Sequence, residues 1–142
     1  MKKSIYIIIL AVIIAVAVAW YLISPAFKVV EMNEDVKPGS ESLAEGIFKS
    51  SAHEVKGRAI LIKDEEKNIL RFKDFETING PDLHIYLASS LEANDYIDLG
   101  VIKGTKGNIN YDIPAGIDTN KYNKVLIWCV PFKVLFSYAE LS

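Results

Sequence analysis

Cys129 carries the only thiol in the 142 residues of the chain, and a thiolate has two uses, attack on a disulfide and ligation of a soft metal. One cysteine rules out an internal disulfide framework, a multi-cysteine zinc or iron–sulfur site and a Cys-x-x-Cys-His haem attachment. The two histidines, His53 and His84, would complete a His₂Cys copper set with Cys129. Such a set usually takes a further weak ligand, often Met. The segment from Val130 to Ser137 holds neither His nor Met, and the only methionines are Met1 and Met32. The pattern therefore supports no copper centre of that type and no metal site. Cys129 or a histidine could serve a haem as axial ligand, but nothing in the sequence calls for it.

Two further residues are candidate binding groups. Asp82, in the turn Asn79-Gly-Pro-Asp82, can present a carboxylate to a ligand, although Asn and Asp side chains more commonly cap their own turns. His53 stands where a strand begins and is more simply a structural or surface histidine. The Asp64-Glu-Glu66 cluster lacks the ligand spacing of a calcium loop and reads as a solvated hairpin tip. Gly100, Gly104 and Gly107 are not followed by the Lys-Ser/Thr of a phosphate loop. There is no Gly-x-Ser-x-Gly elbow and no pattern of paired carboxylates, so hydrolase chemistry has no support.

The elements that position these residues are strands. From Gly46 onward, short runs rich in Val, Ile, Leu, Phe and Tyr recur between Gly, Pro, Asn and Asp. No segment after residue 45 keeps a helical period. The expectation is an all-β domain over 46–142, a single antiparallel β-sandwich or small β-barrel of seven to eight strands. Along its last strand pair, Leu126, Trp128, Val130, Phe132, Val134, Phe136 and Tyr138 form an apolar stripe of period two. Cys129 has the opposite parity, with Lys133 and Ser137. That count predicts Trp128, Phe132 and Phe136 inside the domain and the thiol on the more polar face, unless Pro131 interrupts it.

Before the domain, residues 1–24 contain the uncharged run Ile5–Ile23, nineteen residues preceded by Lys2 and Lys3. As a helix the run would reach about 28 Å, the thickness of a bilayer's hydrocarbon. Trp20 and Tyr21 suit the interface, and the lysine bias puts the amino terminus in the cytoplasm and the domain outside. Ala15-Val-Ala17 and Ala17-Val-Ala19 offer cleavage sites that would release a secreted form, but the apolar run is longer than a usual signal core, which favours an uncleaved signal-anchor. Residues 25–45, polar and acidic, read as a flexible tether. Beyond Lys28, 13 basic residues stand against 18 acidic ones, which excludes nucleic acid as a partner.

Several fragments in order, Gly46-Ile-Phe48, Ala52-His-Glu-Val-Lys-Gly57, Asp74-Phe75, Asn79-Gly-Pro-Asp-Leu83, Tyr86-Leu87, Leu99-Gly100, Gly107-Asn-Ile-Asn-Tyr111, Val125-Leu-Ile-Trp-Cys129, Phe132, Phe136 and Ala139-Glu-Leu141, resemble the DM-thirteen electron-transfer domain. That domain accompanies DOMON domains in Skeletor-type surface proteins and also occurs alone in exported microbial proteins. The resemblance runs from about 46 to 141, and the Asn-Gly-Pro-Asp-Leu turn and the Trp-Cys strand are its most specific parts. It implies an extracytoplasmic β-domain with a redox role centred on Cys129. No DOMON or haem domain accompanies it here, so an electron partner would be a separate protein. The alternative is a non-catalytic β-sandwich that binds a small ligand or a surface protein, with Cys129 as core packing.

Overall fold

The computed structural model describes residues 2–24, 28–65 and 67–142. An amino-terminal helix, α1 (Lys2–Ile23), is followed by ten strands: β1 (Glu31–Asn33), β2 (Glu41–Ile47), β3 (Lys49–Ser50), β4 (Val55–Asp64), β5 (Lys67–Thr77), β6 (Leu83–Ala88), β7 (Tyr96–Val101), β8 (Lys106–Ile113), β9 (Lys124–Cys129) and β10 (Val134–Glu140). They form two five-stranded sheets, ordered β1-β8-β5-β4-β2 and β3-β10-β9-β6-β7. The chain is thus the expected all-β sandwich behind an apolar helix. Two details differ from the sequence reading. There are ten strands rather than seven or eight, and β1 pairs with β8 in parallel.

β1 lies within, and β2 begins in, the stretch 25–45 read as a tether, of which residues 25–27 fall outside the described ones. β1 is short and polar, and no periodicity in Glu31–Asn33 reveals it. It can pair because Gly107 takes φ +111° and leaves open the space where a Cβ would lie 2.1 Å from the Met32 carbonyl oxygen. Thr105 N–H then donates to Val30 O (2.8 Å), and Val30 N–H returns a bond to the Thr105 hydroxyl (3.0 Å). β2 continues the sheet beside β4, with Gly46 held against the Glu140 backbone, where a Cβ would also overlap.

Alternation sets the core. Ala59, Leu61, Leu70, Phe72, Ile109 and Tyr111 point inward from the first sheet, and Leu83, Ile85, Leu87, Val125 and Ile127 from the second. Phe72 meets Phe48, Phe75 and Tyr111 at ring-centroid distances of 4.8, 4.9 and 5.1 Å. The β4–β5 hairpin turns through Glu65 at φ 56°; Glu66, the third acid assigned to that tip, is outside the described residues.

The stripe drawn along the last pair fails at the turn. Lys133 adopts φ 51°, Lys133 N–H bonds to Val130 O (3.3 Å), and a register shift follows between Leu135 and Ser137. A turn and a bulge each reset a period-two count. Cys129 is therefore inward with Val125 and Ile127, at 0 % exposure. Trp128 faces outward and is half-buried, and Phe132 at the turn is 69 % exposed. Only Phe136 lies in the core as expected.

Candidate functional site

β9 ends at Cys129, and the connection from β5 to β6 folds over it. The Cys129 thiol donates to Pro81 O (3.3 Å), and the next amide, Val130 N–H, donates to Asp82 O (3.2 Å). Within that turn Asn79 Oδ1 accepts from Gly80 N–H at 3.0 Å. Gly80 lies so close to the Phe136 ring that a Cβ would come within 2.7 Å of it. His53 also packs on Phe136, ring centroids 4.0 Å apart. The turn is thus clamped by its own Asn, by two bonds to β9 and by aromatic packing. At 0 % exposure the sulfur is closed to a disulfide or a metal outside the domain.

The three residues singled out from sequence are brought to one end of the sandwich, though not into one constellation. Cys129 lies beneath the turn and His53 packs on Phe136. Asp82, at φ 50°, does not cap its turn; its carboxylate goes to His84 instead. His84 Nε2 is 3.1 Å from Asp82 Oδ1, and its Nδ1 is 2.8 Å from Asp98 Oδ2. Only a ring protonated at both nitrogens can donate to both carboxylates. Asp98 Oδ1 also accepts from Gly100 N–H (2.8 Å), which fixes the carboxylate on β7. No three or more of the described His, Cys, Asp and Glu residues are grouped to hold a metal ion.

Beside this row the outer face of the second sheet carries an aromatic series. Tyr86 stacks on Tyr96 at 4.0 Å and 15°, and on Trp128 at 6.2 Å and 24°. Burial pushes the Tyr86 phenol up to about 12, with Tyr96, Asp98 and Asp82 adding to the shift. Glu92 and Lys133 border an open groove of about 480 Å³ over these rings. Asp98, Tyr96 and the outward Trp128 were not found from sequence. Their signal lay in the pairings His84↔Trp128, His84↔Val101 and Tyr86↔Asp98, which strand composition alone does not give.

Over residues 47–141 the chain matches a family model described as "Electron transfer DM13". No curated protein and no solved structure matches it.

Proposed function

The chain belongs to the DM13 electron-transfer family, and we propose that it is a membrane-anchored extracytoplasmic domain with a redox role centred on Cys129 and the turn that covers it. The observation that carries this reading is the bond from the Cys129 thiol to Pro81 O. It joins the Asn79–Leu83 turn to the Val125–Cys129 strand, the two segments in which the family resemblance is most specific. The anchor is supported by α1, whose residues Lys3–Ile23 are apolar and long enough to cross a bilayer. Lys2 and Lys3 before it, with Glu31, Glu34 and Asp35 after it, support the orientation with the domain outside.

In this reading Cys129 is a guarded thiol. When the Asn79–Asp82 turn lifts, the thiolate attacks the disulfide of a separate protein. A mixed disulfide forms and the partner's other sulfur leaves as a thiolate. The zero exposure of Cys129 favours a second reading, in which the sulfur is core packing and the domain binds a ligand or protein through other surfaces.

Alkylation of the full chain in micelles by iodoacetamide, followed across increasing urea, separates the two. A guarded thiol reacts through local opening, at a rate that is nearly flat in urea and rises when Pro81→Gly loosens the turn. A packing cysteine reacts only along the global unfolding curve, and that outcome removes the redox assignment from Cys129.

A further inference from the structure

The strand directions put one set of connections at one end of the sandwich. β5 leaves for β6 through residues 78–82, β7 for β8 through 102–105, β9 for β10 through 130–133, and β1 enters there after Val30. Backbone bonds tie these segments together: Thr77 N–H to Thr105 O (2.9 Å), Ile102 N–H to Leu83 O (2.8 Å) and Val130 N–H to Asp82 O (3.2 Å).

Eight large apolar side chains are exposed outside α1 among the described residues. Five of them, Val29, Ile78, Val101, Phe132 and Val134, belong to this end; Ile47 lies on a sheet edge, and Leu43 and Tyr96 toward the other end. Phe132 stands at a hairpin tip beside exposed Lys133, and Val29 beside exposed Lys28. An apolar tip with an adjacent lysine suits a lipid interface, because the ring or branch enters the acyl boundary while the ammonium stays with the headgroups. At the opposite end the connections are Asp64–Lys67, Ser89–Asp95 and Pro114–Asn123, all mainly polar.

The same end is where the chain leaves for α1. Val30 is locked to Thr105, and only four residues separate Ile23 from Lys28, five Cα-to-Cα steps that reach at most about 18 Å. So short a connection keeps this end, and not the other, within contact of whatever holds α1.

Resting on the anchored reading above, we infer that the domain docks end-on onto its own bilayer, with Phe132, Val29 and Ile78 entering the lipid surface and Lys28 and Lys133 among the headgroups. Apolar contact carries the docking, since the nearby charges are mixed: Glu54 is exposed there, and Glu76 pairs with Lys56 at 3.8 Å. Docking in this pose turns the Asn79–Asp82 turn, and Cys129 beneath it, toward the membrane.

The test is spin labelling of Phe132→Cys and, as the distal control, Ala115→Cys, in the full chain reconstituted into phosphatidylcholine–phosphatidylglycerol vesicles. Wild-type protein carried through the same labelling measures any signal from Cys129, which is buried but reacts if its turn opens, and that signal is subtracted. Docking gives a ratio of oxygen to nickel-chelate accessibility several-fold higher at 132 than at 115. Equal ratios at the two sites overturn the inference, and so does shielding of position 132 from both relaxants, which would mean burial against protein. Extraction of the vesicles at alkaline pH tells the two levels apart: a chain that stays in the vesicles with a wet probe at 132 refutes the docking alone, and a chain that washes out refutes the anchor and the docking with it.

Discussion

Gly107→Ala should detach β1 from the sandwich while leaving the two sheets folded. The substituted residue must hold φ +111° with its Cβ 2.1 Å from the Met32 carbonyl oxygen. Such a conformation alone costs about 1–3 kcal/mol in a non-glycine residue, and the overlap leaves no room for β1 to stay. Release of β1 gives up Glu34 N–H to Asn108 O (2.8 Å), Thr105 N–H and Lys106 N–H to Val30 O (2.8 and 3.2 Å), Val30 N–H to the Thr105 hydroxyl (3.0 Å), Asn110 N–H to the Glu34 carboxylate (2.8 Å), Asn108 N–H to Asn33 Oδ1 (3.2 Å) and the Arg71 guanidinium to Glu34 O (2.9 Å). At roughly 1 kcal/mol each these total about 7 kcal/mol. Regained freedom of about 1–2 kcal/mol per residue over the five residues Val30 to Glu34 is of the same size, so the two roughly cancel. The net loss is therefore set by the strain at position 107, about 2 kcal/mol, or roughly 10 °C in Tm for a domain of this size. Amide hydrogen exchange is the assay. Protection should vanish at Glu34, Thr105, Lys106 and Asn110 and persist at Leu70, Ile85 and Ile127. Unchanged protection at Glu34 and Thr105 would refute the argument that glycine is what admits β1. The variant also lengthens the free connection after α1 to roughly 40 Å and lets Val29 and Lys28 leave the domain with β1, so it should weaken end-on docking while Phe132, Ile78 and Lys133 stay in place.

Cys129→Ser should destabilise by about 1–2 kcal/mol in urea unfolding, because a hydroxyl in a dry core needs its hydrogen bond and the shorter C–O bond draws the donor away from Pro81 O; an unchanged midpoint would mean that the site is wet. Phe136→Ala should cost about 3–5 kcal/mol, whereas Phe132→Ala should stay within about 0.5 kcal/mol, and equal costs would contradict the turn at 130–133. Burial pushes Tyr111, like Tyr86, up to about 12, while an unfolded tyrosine ionises near about 10. The unfolded chain thus loses its protons first, so stability holds below about pH 10 and declines from there toward 12. Absorbance titration should find two late tyrosinates, and Tyr111→Phe should flatten the decline while costing about 1 kcal/mol at neutral pH through the lost partner of Lys103 N–H, 3.1 Å away.

Local chemistry settled part of this protein from the sequence alone. An uncharged run of nineteen residues can only be a long apolar helix, and alternating Val, Ile and Phe between Gly, Pro and Asn can only pack as strands with one face inward. The Asn79-Gly-Pro-Asp82 turn was equally legible, because Gly and Pro act on their own backbone. What stayed hidden depends on contacts distant in sequence. The inward facing of Cys129 follows from where β9 sits between β6 and β10, and the straight parity count broke at Lys133 and the bulge after Leu135, which act through backbone angles rather than hydropathy. β1 carries no apolar pattern; it exists because Gly107, more than seventy residues later, leaves it room. The Asp82–His84–Asp98 row and the Tyr96–Tyr86–Trp128 stack each join separate strands, and register between strands is fixed by the packing of the whole core. The sequence determined which elements form and where the chemically capable residues lie along them. Only the tertiary structure decided which of those residues meet, which are sealed, and at which end of the domain the chain enters from α1.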